Sequence, residues 1–134
     1  MGVLKPYLLS EDARAQADFY VQALGGEIMF LSTHGELMGA QNELKNKVVH
    51  MCVVVAGGNP IFMADAIEPI AQGTNFSLSI EYKTEAEARD AFDKISAGGR
   101  VKYPFALQPF GLYLGEAADQ FGVIWMITAE PQAE

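Results

Sequence analysis

The stretch SEDARAQADFYVQALGGEI, residues 10–28, decides the fold because a second copy of its pattern, KTEAEARDAFDKISAGGRV, follows at residues 83–101. With a constant offset of 73 positions, the glycine pair Gly25-Gly26 aligns with Gly98-Gly99. In both copies apolar residues recur at helical spacing before the glycine pair. Each copy therefore predicts an amphipathic helix that stops at its glycines.

Both predicted helices have recognisable first turns. In the second copy Thr84 and Glu87 have the spacing of a capping box, in which each side chain bonds the backbone N–H of the other residue. In the first copy Ser10 is the expected N-cap, with Glu11 and Asp12 in the first turn.

The flanks of the helices repeat as well, which predicts strand, helix and three strands, written twice. Residues 33–47 between two of the strands are polar and contain glycine, which predicts a mobile loop. We expect one domain over residues 1–134, with module one at about 1–67 and module two at about 74–130. The predicted strands are residues 3–9, 26–32, 48–56 and 61–66, then 75–82, 100–107, 112–117 and 122–128.

Composition limits the classes of function. Half of the 134 residues are apolar and 19% are charged, as in a globular domain. A net charge of −8 argues against nucleic-acid binding, which needs clustered positive charge. Cys52 is the only cysteine, so no intramolecular disulfide forms and a reducing cytoplasm is expected. We expect no signal peptide and no membrane segment, since the apolar runs are short.

Several stretches together resemble the vicinal oxygen chelate superfamily, the group of glyoxalase I, extradiol dioxygenases and bleomycin-resistance proteins. Within it the chain is most similar to the PhnB-like branch, also labelled 3-demethylubiquinone methyltransferase-like. One departure is LQPFG at residues 107–111, where that branch usually has Trp at the position of Phe110. The stretches that carry the resemblance are PYLL (6–9), DFYVQALGGE (18–27), His50 with Asp65, SAGGRVKYP (96–104) and DQFGVIWMI (119–127).

The resemblance implies an α+β fold of two tandem βαβββ modules. Their mixed sheets curve into one cup with the helices on the outside, and two chains pair as a homodimer. In metal-using members the first and fourth strands of each module supply His, Gln or Glu ligands to a divalent ion. Two adjacent substrate oxygens then complete the coordination.

The positions that supply those ligands carry poor donors in this chain. Metal-using relatives have Glu four residues after the turn glycine, and counting from Gly122 reaches Met126. The strand at 61–64 offers only Met63, with Asp65 at its end. We therefore predict no metal site and no cofactor, and leave open an unusual set with His50 or Glu81. The first strands of the modules offer Lys5 and Tyr7, and Ser77 and Ser79 with Glu81.

His50 is the candidate catalytic residue. Strand alternation places it on one face with Cys52 and Val54, where it is the one side chain that titrates near neutral pH. The alternative is a structural, hydrogen-bonded histidine, because the sequence shows no partner for it. Cys52 is expected to be a buried, inert thiol and Trp125 a core residue.

The segment KYPFALQPFGLY, residues 102–113, offers flat apolar surface with polar groups, so it is either pocket lining or an ordinary strand connection. Asp119 in the turn before the last strand is expected to bond the backbone. The predicted ligand-binding residues are Tyr7, His50, Ser77, Ser79, Gln108, Phe110, Tyr113 and Met126.

Two classes of function remain. The first is metal-independent binding of a small apolar or cationic molecule in the cup of a dimer, in the manner of drug-sequestering proteins. The second is an enzyme, either a metal-dependent lyase, isomerase or dioxygenase, or an acid/base catalyst that uses His50. A methyltransferase would need a doubly wound cofactor domain, for which this chain has no room.

Overall fold

The structure, a computed structural model, describes residues 1–131 of the chain. Two compact units follow one another: a first module, Met1–Ala71, and a second module that begins at Gln72. In the described part of the chain no helix is long and apolar enough to cross a membrane. The elements are β1 (Tyr7–Ser10), α1 (Ala13–Leu24), β2 (Gly26–Thr33), α2 (His34–Met38), β3 (Val48–Val55), β4 (Asn59–Asp65), β5 (Leu78–Tyr82), α3 (Glu85–Ser96), β6 (Arg100–Leu107), β7 (Tyr113–Ala118) and β8 (Ile124–Ala129).

Each module has one four-stranded mixed sheet with the same strand order. The order is β1-β4-β3-β2 in the first module and β5-β8-β7-β6 in the second. The strand before the main helix pairs in parallel with the last strand of its module, and the other pairs are antiparallel. The predicted α+β class with two βαβββ modules is confirmed, with α2 as an additional short helix in the first.

The core of the first module lies between α1 and its sheet. Small residues of α1, such as Ala13 and Ala17, are fully buried and let the helix approach the strands closely. Met51 and Val53 of β3 are also inaccessible. Successive residues of a strand point to opposite faces, so the neighbours of Met51 and Val53 lie on the face away from α1. We call the face of each sheet that points away from α1 or α3 its distal face.

The second module repeats this arrangement with larger aromatic side chains in its core. Phe92 and Ile95 of α3 are buried, as are Trp125 and Ile127 of β8. The burial of Trp125 was predicted from its alternation with Met126. Its indole N–H donates to the Asp119 carboxylate at 2.8 Å. The same carboxylate accepts the N–H groups of Phe121 and Val123, so the predicted backbone-bonding role of Asp119 is confirmed.

The two helix starts differ in how well the sequence predicted them. Thr84 caps α3 as predicted, since its hydroxyl accepts the N–H of Glu87 at 3.1 Å. The Glu87 carboxylate accepts the Thr84 hydroxyl at 2.9 Å, where the predicted capping box would have it accept the Thr84 N–H. The prediction of Ser10 as the cap of α1 is wrong. Ser10 ends β1, its hydroxyl accepts the N–H of Asp12, and Asp12 is the N-cap. The parallel pairing of Ser10 with Asp65 keeps the chain extended at that point.

The predicted loop at 33–47 begins with the five-residue helix α2. Thr33 and Glu36 form a reciprocal capping box at its start. Gly39 closes the helix with φ of 67°. A short helix without an apolar stripe has no periodic signal, but the Thr-x-x-Glu spacing was present in the sequence.

Candidate functional site

Four side chains form a row across the distal face of the first sheet. Strand register places Tyr7 opposite Phe62, Phe62 opposite Cys52, and Cys52 opposite Phe30. Residues directly opposite on neighbouring strands share a face, so this row and His50, two residues before Cys52, lie on the same side. We call Tyr7, Phe30, His50 and Phe62 the aromatic cluster.

His50 lies within ring contact of all three other members of the aromatic cluster. Its ring centroid is 5.2 Å from Phe30, 5.5 Å from Phe62 and 5.9 Å from Tyr7. The Phe62 and Tyr7 rings are nearly parallel to it, at 22° and 18°. Tyr7 is 50% exposed and Phe30 43% exposed. The cluster is therefore a partly accessible aromatic surface that an incoming ring can contact.

His50 has the hydrogen-bonding partner that the sequence did not reveal. The hydroxyl of Tyr7 lies 3.3 Å from His50 Nδ1 and 3.4 Å from the Val49 carbonyl oxygen. The hydroxyl has one proton. If it donates to Val49, then Nδ1 donates to the hydroxyl and Nε2 is left as an acceptor. If it donates to Nδ1, then Nε2 carries the proton instead.

Lys5 adds a positive charge at one end of the aromatic cluster. Its Nζ lies 4.5 Å from the centroid of the Phe62 ring, within the range of a cation–π contact. The backbone next to Lys5 is tied to β4, because the N–H of Phe62 donates to the carbonyl of Pro6 at 3.0 Å. Burial raises the pKa of the Cys52 thiol, and the charge of Lys5 opposes that rise.

A cavity of about 560 Å³ lies at the other end of β1. Leu9 lines it and also belongs to the distal face, since it is in register with Ala64 in the row next to Phe62. His34 lines the same cavity, and apolar residues dominate the rest of its wall. The other lining residues are Asp65, Ala66, Ile67, Glu68, Pro69, Ile70 and Ala71.

The distal face of the second sheet is polar. Ser79 pairs with Met126, and Met126 pairs with Glu116, so these three side chains lie in one row. Lys102 Nζ is 3.5 Å from the Glu116 carboxylate and 5.3 Å from the centroid of the Tyr103 ring. This row brings together two of the predicted ligand-binding residues, Ser79 and Met126.

The remaining predicted residues lie elsewhere in the second module. Ser77 precedes β5, which begins at Leu78, so its expected place in the strand is wrong. Gln108 holds the β6–β7 turn by donating to the carbonyls of Ala106 and Leu114. Phe110 is 69% exposed in that turn.

Tyr113 faces the helix side of its sheet. It stacks on Phe105 at 5.8 Å, and Phe105 in turn contacts Phe92 of α3 at 6.0 Å. A hydrogen bond to the Glu85 carboxylate raises the pKa of Tyr113. Tyr113 therefore does not share the distal face with Ser79 and Met126.

The donor residues do not fit the divalent metal of the resembled family. Met126 occupies the position of the last-strand carboxylate, and a thioether is a poor ligand for such ions. The two oxygens of Asp65 accept the N–H groups of Ala13 at 2.8 Å and Val48 at 2.7 Å. Within residues 1–131 no three His, Cys, Asp or Glu side chains are placed together to hold a metal ion.

Two members of the aromatic cluster, Phe30 and Phe62, were missed from the sequence. Alternation from Gly26 would place Phe30 with Ile28, but an irregularity in β2 between these residues reverses the faces. The contact of Phe62 with Tyr7 depends on the parallel pairing of β1 with β4, which residue spacing does not show. Only their aromatic character was available as a signal.

No protein-family model matches the chain. Protein YjdN of Escherichia coli K12 is 27% identical over 142 residues, covering 96% of this chain and 96% of that protein. The crystal structure of PA1353 from Pseudomonas aeruginosa is 27% identical with a TM-score of 0.85, covering 98% of this chain and all of that one. The PhnB protein of Bacillus cereus is 23% identical with a TM-score of 0.78, covering 96% and 99%.

A more distant structure carries the superfamily's description in its own name. The glyoxylase/bleomycin resistance protein/dioxygenase domain of Frankia sp. EAN1pec has a TM-score of 0.70 at 14% identity, over 98% of each chain. These structures show that the chain has the fold of the vicinal oxygen chelate superfamily, as the resemblance in sequence predicted. The Pseudomonas and Bacillus structures support the resemblance to the PhnB-like branch.

Proposed function

We propose that the first module binds a small, flat, apolar molecule against the aromatic cluster, without a metal. The observation that carries the proposal is the position of His50, which contacts three aromatic rings on a face where Tyr7 and Phe30 keep about half of their surface accessible. Aromatic rings gain from stacking beyond the burial of their area. The cavity next to Leu9 leaves room for a substituent on such a ligand.

The test is a titration with naphthalene-2-carboxamide, a flat neutral probe, followed by the amide resonances of the protein. We expect shifts centred on His50 and Phe62, and a roughly tenfold weaker affinity in Phe62→Ala, the size of one lost aromatic contact. The matched control is Tyr103→Ala, which removes an exposed ring from the second sheet. Shifts confined to the second module, or equal effects of the two variants, would contradict the proposal.

The contact between Tyr7 and His50 favours acid/base catalysis as a second candidate. A histidine held through Nδ1 leaves Nε2 to take or give a proton. The assay is exchange of the methyl protons of 2-acetylnaphthalene for deuterium. An enzyme should accelerate this exchange above buffer and lose it in His50→Ala.

The same variant separates the two candidates by affinity. A binding protein should lose about 1–3 kcal/mol at most in His50→Ala, the cost of one lost buried hydrogen bond. A catalyst should keep its affinity for 2-acetylnaphthalene while losing the exchange reaction. Homodimer formation and a cytoplasmic location stay predictions.

A further inference from the structure

The charge next to the aromatic cluster differs in sign from the charge of the whole chain. The protein has a net charge of −8, yet the ammonium of Lys5 lies over the Phe62 ring. The edge strand β2 lies at the far side of the first sheet. On the distal face it carries the charged residue Glu27, which is in register with Val54. Two strands, β4 and β3, lie between β1, which follows Lys5, and β2, which carries Glu27.

We infer that the ligand of the aromatic cluster is a flat aromatic anion, such as an aryl carboxylate or phenolate, whose acidic group lies at Lys5. This inference rests on the proposed function and names its ligand class. A ring in contact with the aromatic cluster can place an acidic substituent within reach of the Lys5 ammonium, which lies over the Phe62 ring. The Tyr7 hydroxyl is a second polar group on this face.

The backbone next to Lys5 is restrained at two points. Pro6 restricts the backbone next to it, and the carbonyl of Pro6 is tied to the N–H of Phe62. The backbone next to Lys5 is therefore fixed, and the ammonium lies on the same side as the rings, over Phe62. A cationic ligand, which the acidic composition favoured, would meet this ammonium at close range, where a like charge costs more than the distant field of the chain contributes.

The experiment compares three probes that share one ring system: naphthalene-2-carboxylate, naphthalene-2-carboxamide and 2-naphthylmethylammonium. We expect the carboxylate to bind wild-type protein about threefold to fivefold more tightly than the carboxamide, and the ammonium to bind most weakly. The preference should shrink between 50 and 500 mM salt, because added ions screen a partly exposed pair.

Lys5→Met removes the charge and keeps an unbranched apolar side chain. It should abolish the preference for the carboxylate, measured as the ratio of the carboxylate and carboxamide affinities within the variant. Lys102→Met is the matched control, because Lys102 also lies over an aromatic ring, that of Tyr103, but on the second sheet. The control should keep the preference of the wild type.

The outcomes separate the two proposals. If the carboxamide binds at His50 and Phe62 but the carboxylate binds no better, the inference is overturned and the proposed function stands. If no naphthalene probe binds at the aromatic cluster, both are overturned. A preference that survives Lys5→Met would also overturn the inference, since the charge would then come from elsewhere. The preference for the carboxylate over the carboxamide is measured on the wild-type protein. A folding defect in Lys5→Met therefore cannot conceal whether that preference exists.

Discussion

On the distal face of the first sheet, His50 lies among three aromatic rings, whereas the same face of the second sheet carries Glu116 beside Met126. The strand order of the two sheets is nevertheless the same. Both sheets bury their other face against a helix. Packing against the helix restricts which residues fit, while the distal face is free to diverge. The aromatic cluster is therefore a property of one module and not of the fold.

The features that the modules share lie at their glycine pairs and buried carboxylates. In each module the second glycine of the pair lies against the carbonyl of a neighbouring strand, Val54 for Gly26 and Ala118 for Gly99. A buried aspartate ties backbone N–H groups together in each module as well, Asp65 in the first and Asp119 in the second. These shared features make the modules comparable in experiments.

The largest effect is expected from Gly26→Ala and Gly99→Ala. A methyl group at either position would overlap the neighbouring strand's carbonyl oxygen, so each variant should lose about 3 kcal/mol of the free energy of unfolding. Gly25→Ala is the control, because space around it is open and only its φ of 74° is unfavourable, at about 1 kcal/mol. Urea denaturation followed by circular dichroism measures all three.

A large loss of the free energy of unfolding in only one of Gly26→Ala and Gly99→Ala would show that the two modules differ at this position. It would mean that the glycine pairs resemble each other in sequence without performing the same packing role. Equal losses would instead show that close strand contact explains why the pair recurs with the helix pattern.

The next effect is expected at the buried carboxylates. Asp65→Ala leaves the N–H groups of Ala13 and Val48 without their acceptor, and Asp119→Ala does the same to Phe121, Val123 and the Trp125 indole. Each variant should lose about 2 kcal/mol of the free energy of unfolding. The corresponding Asn variants keep one acceptor oxygen and should lose less. An Asn variant as unstable as the Ala variant would assign the effect to charge rather than to the number of acceptors.

The sequence predicted the elements of the fold better than the site. The predicted range of β6, residues 100–107, agrees with the structure, because alternation and the preceding glycine pair bound it clearly. The face shared by His50 and Cys52 was also predicted, since one uninterrupted strand carries both. The contact of His50 with Phe30 was not, because an irregularity in β2 changes the face of Phe30. Sites assembled across strands depend on register, which a single sequence does not contain.

A smaller effect is expected at the helix starts, where the sequence predicted one N-cap and missed the other. Asp12→Ala and Thr84→Ala each remove the side-chain acceptor for a backbone N–H of the first turn. Each should lose about 1 kcal/mol of the free energy of unfolding. Glu11→Ala, one residue before the cap of α1, is the control and should change little. If Glu11→Ala cost as much as Asp12→Ala, the assignment of the cap to Asp12 would be wrong.

The smallest effect tests the charge that distinguishes the first module. Cys52 lies beneath the aromatic cluster with its thiol pKa raised by burial and held back by Lys5. Because only the thiolate reacts with iodoacetamide, alkylation should be slow and should speed up with pH above the ordinary thiol pKa of about 8.5. Lys5→Met should slow it by a further twofold to threefold, about the effect of a partly exposed charge.

The same shift in the pKa of Cys52 has a consequence for stability with a definite sign. The folded chain holds the thiol proton more tightly than the unfolded chain, so the free energy of unfolding should fall as the pH rises above about 8.5. Cys52→Ala lacks this proton and should show a flatter dependence over that range. Unfolding curves of both proteins between pH 7 and 10 measure the difference.

The alkylation experiment has its own contradicting outcome. If Lys5→Met alkylated faster than the wild type, the ammonium could not be stabilising the thiolate, and its place at the aromatic cluster would have to be abandoned.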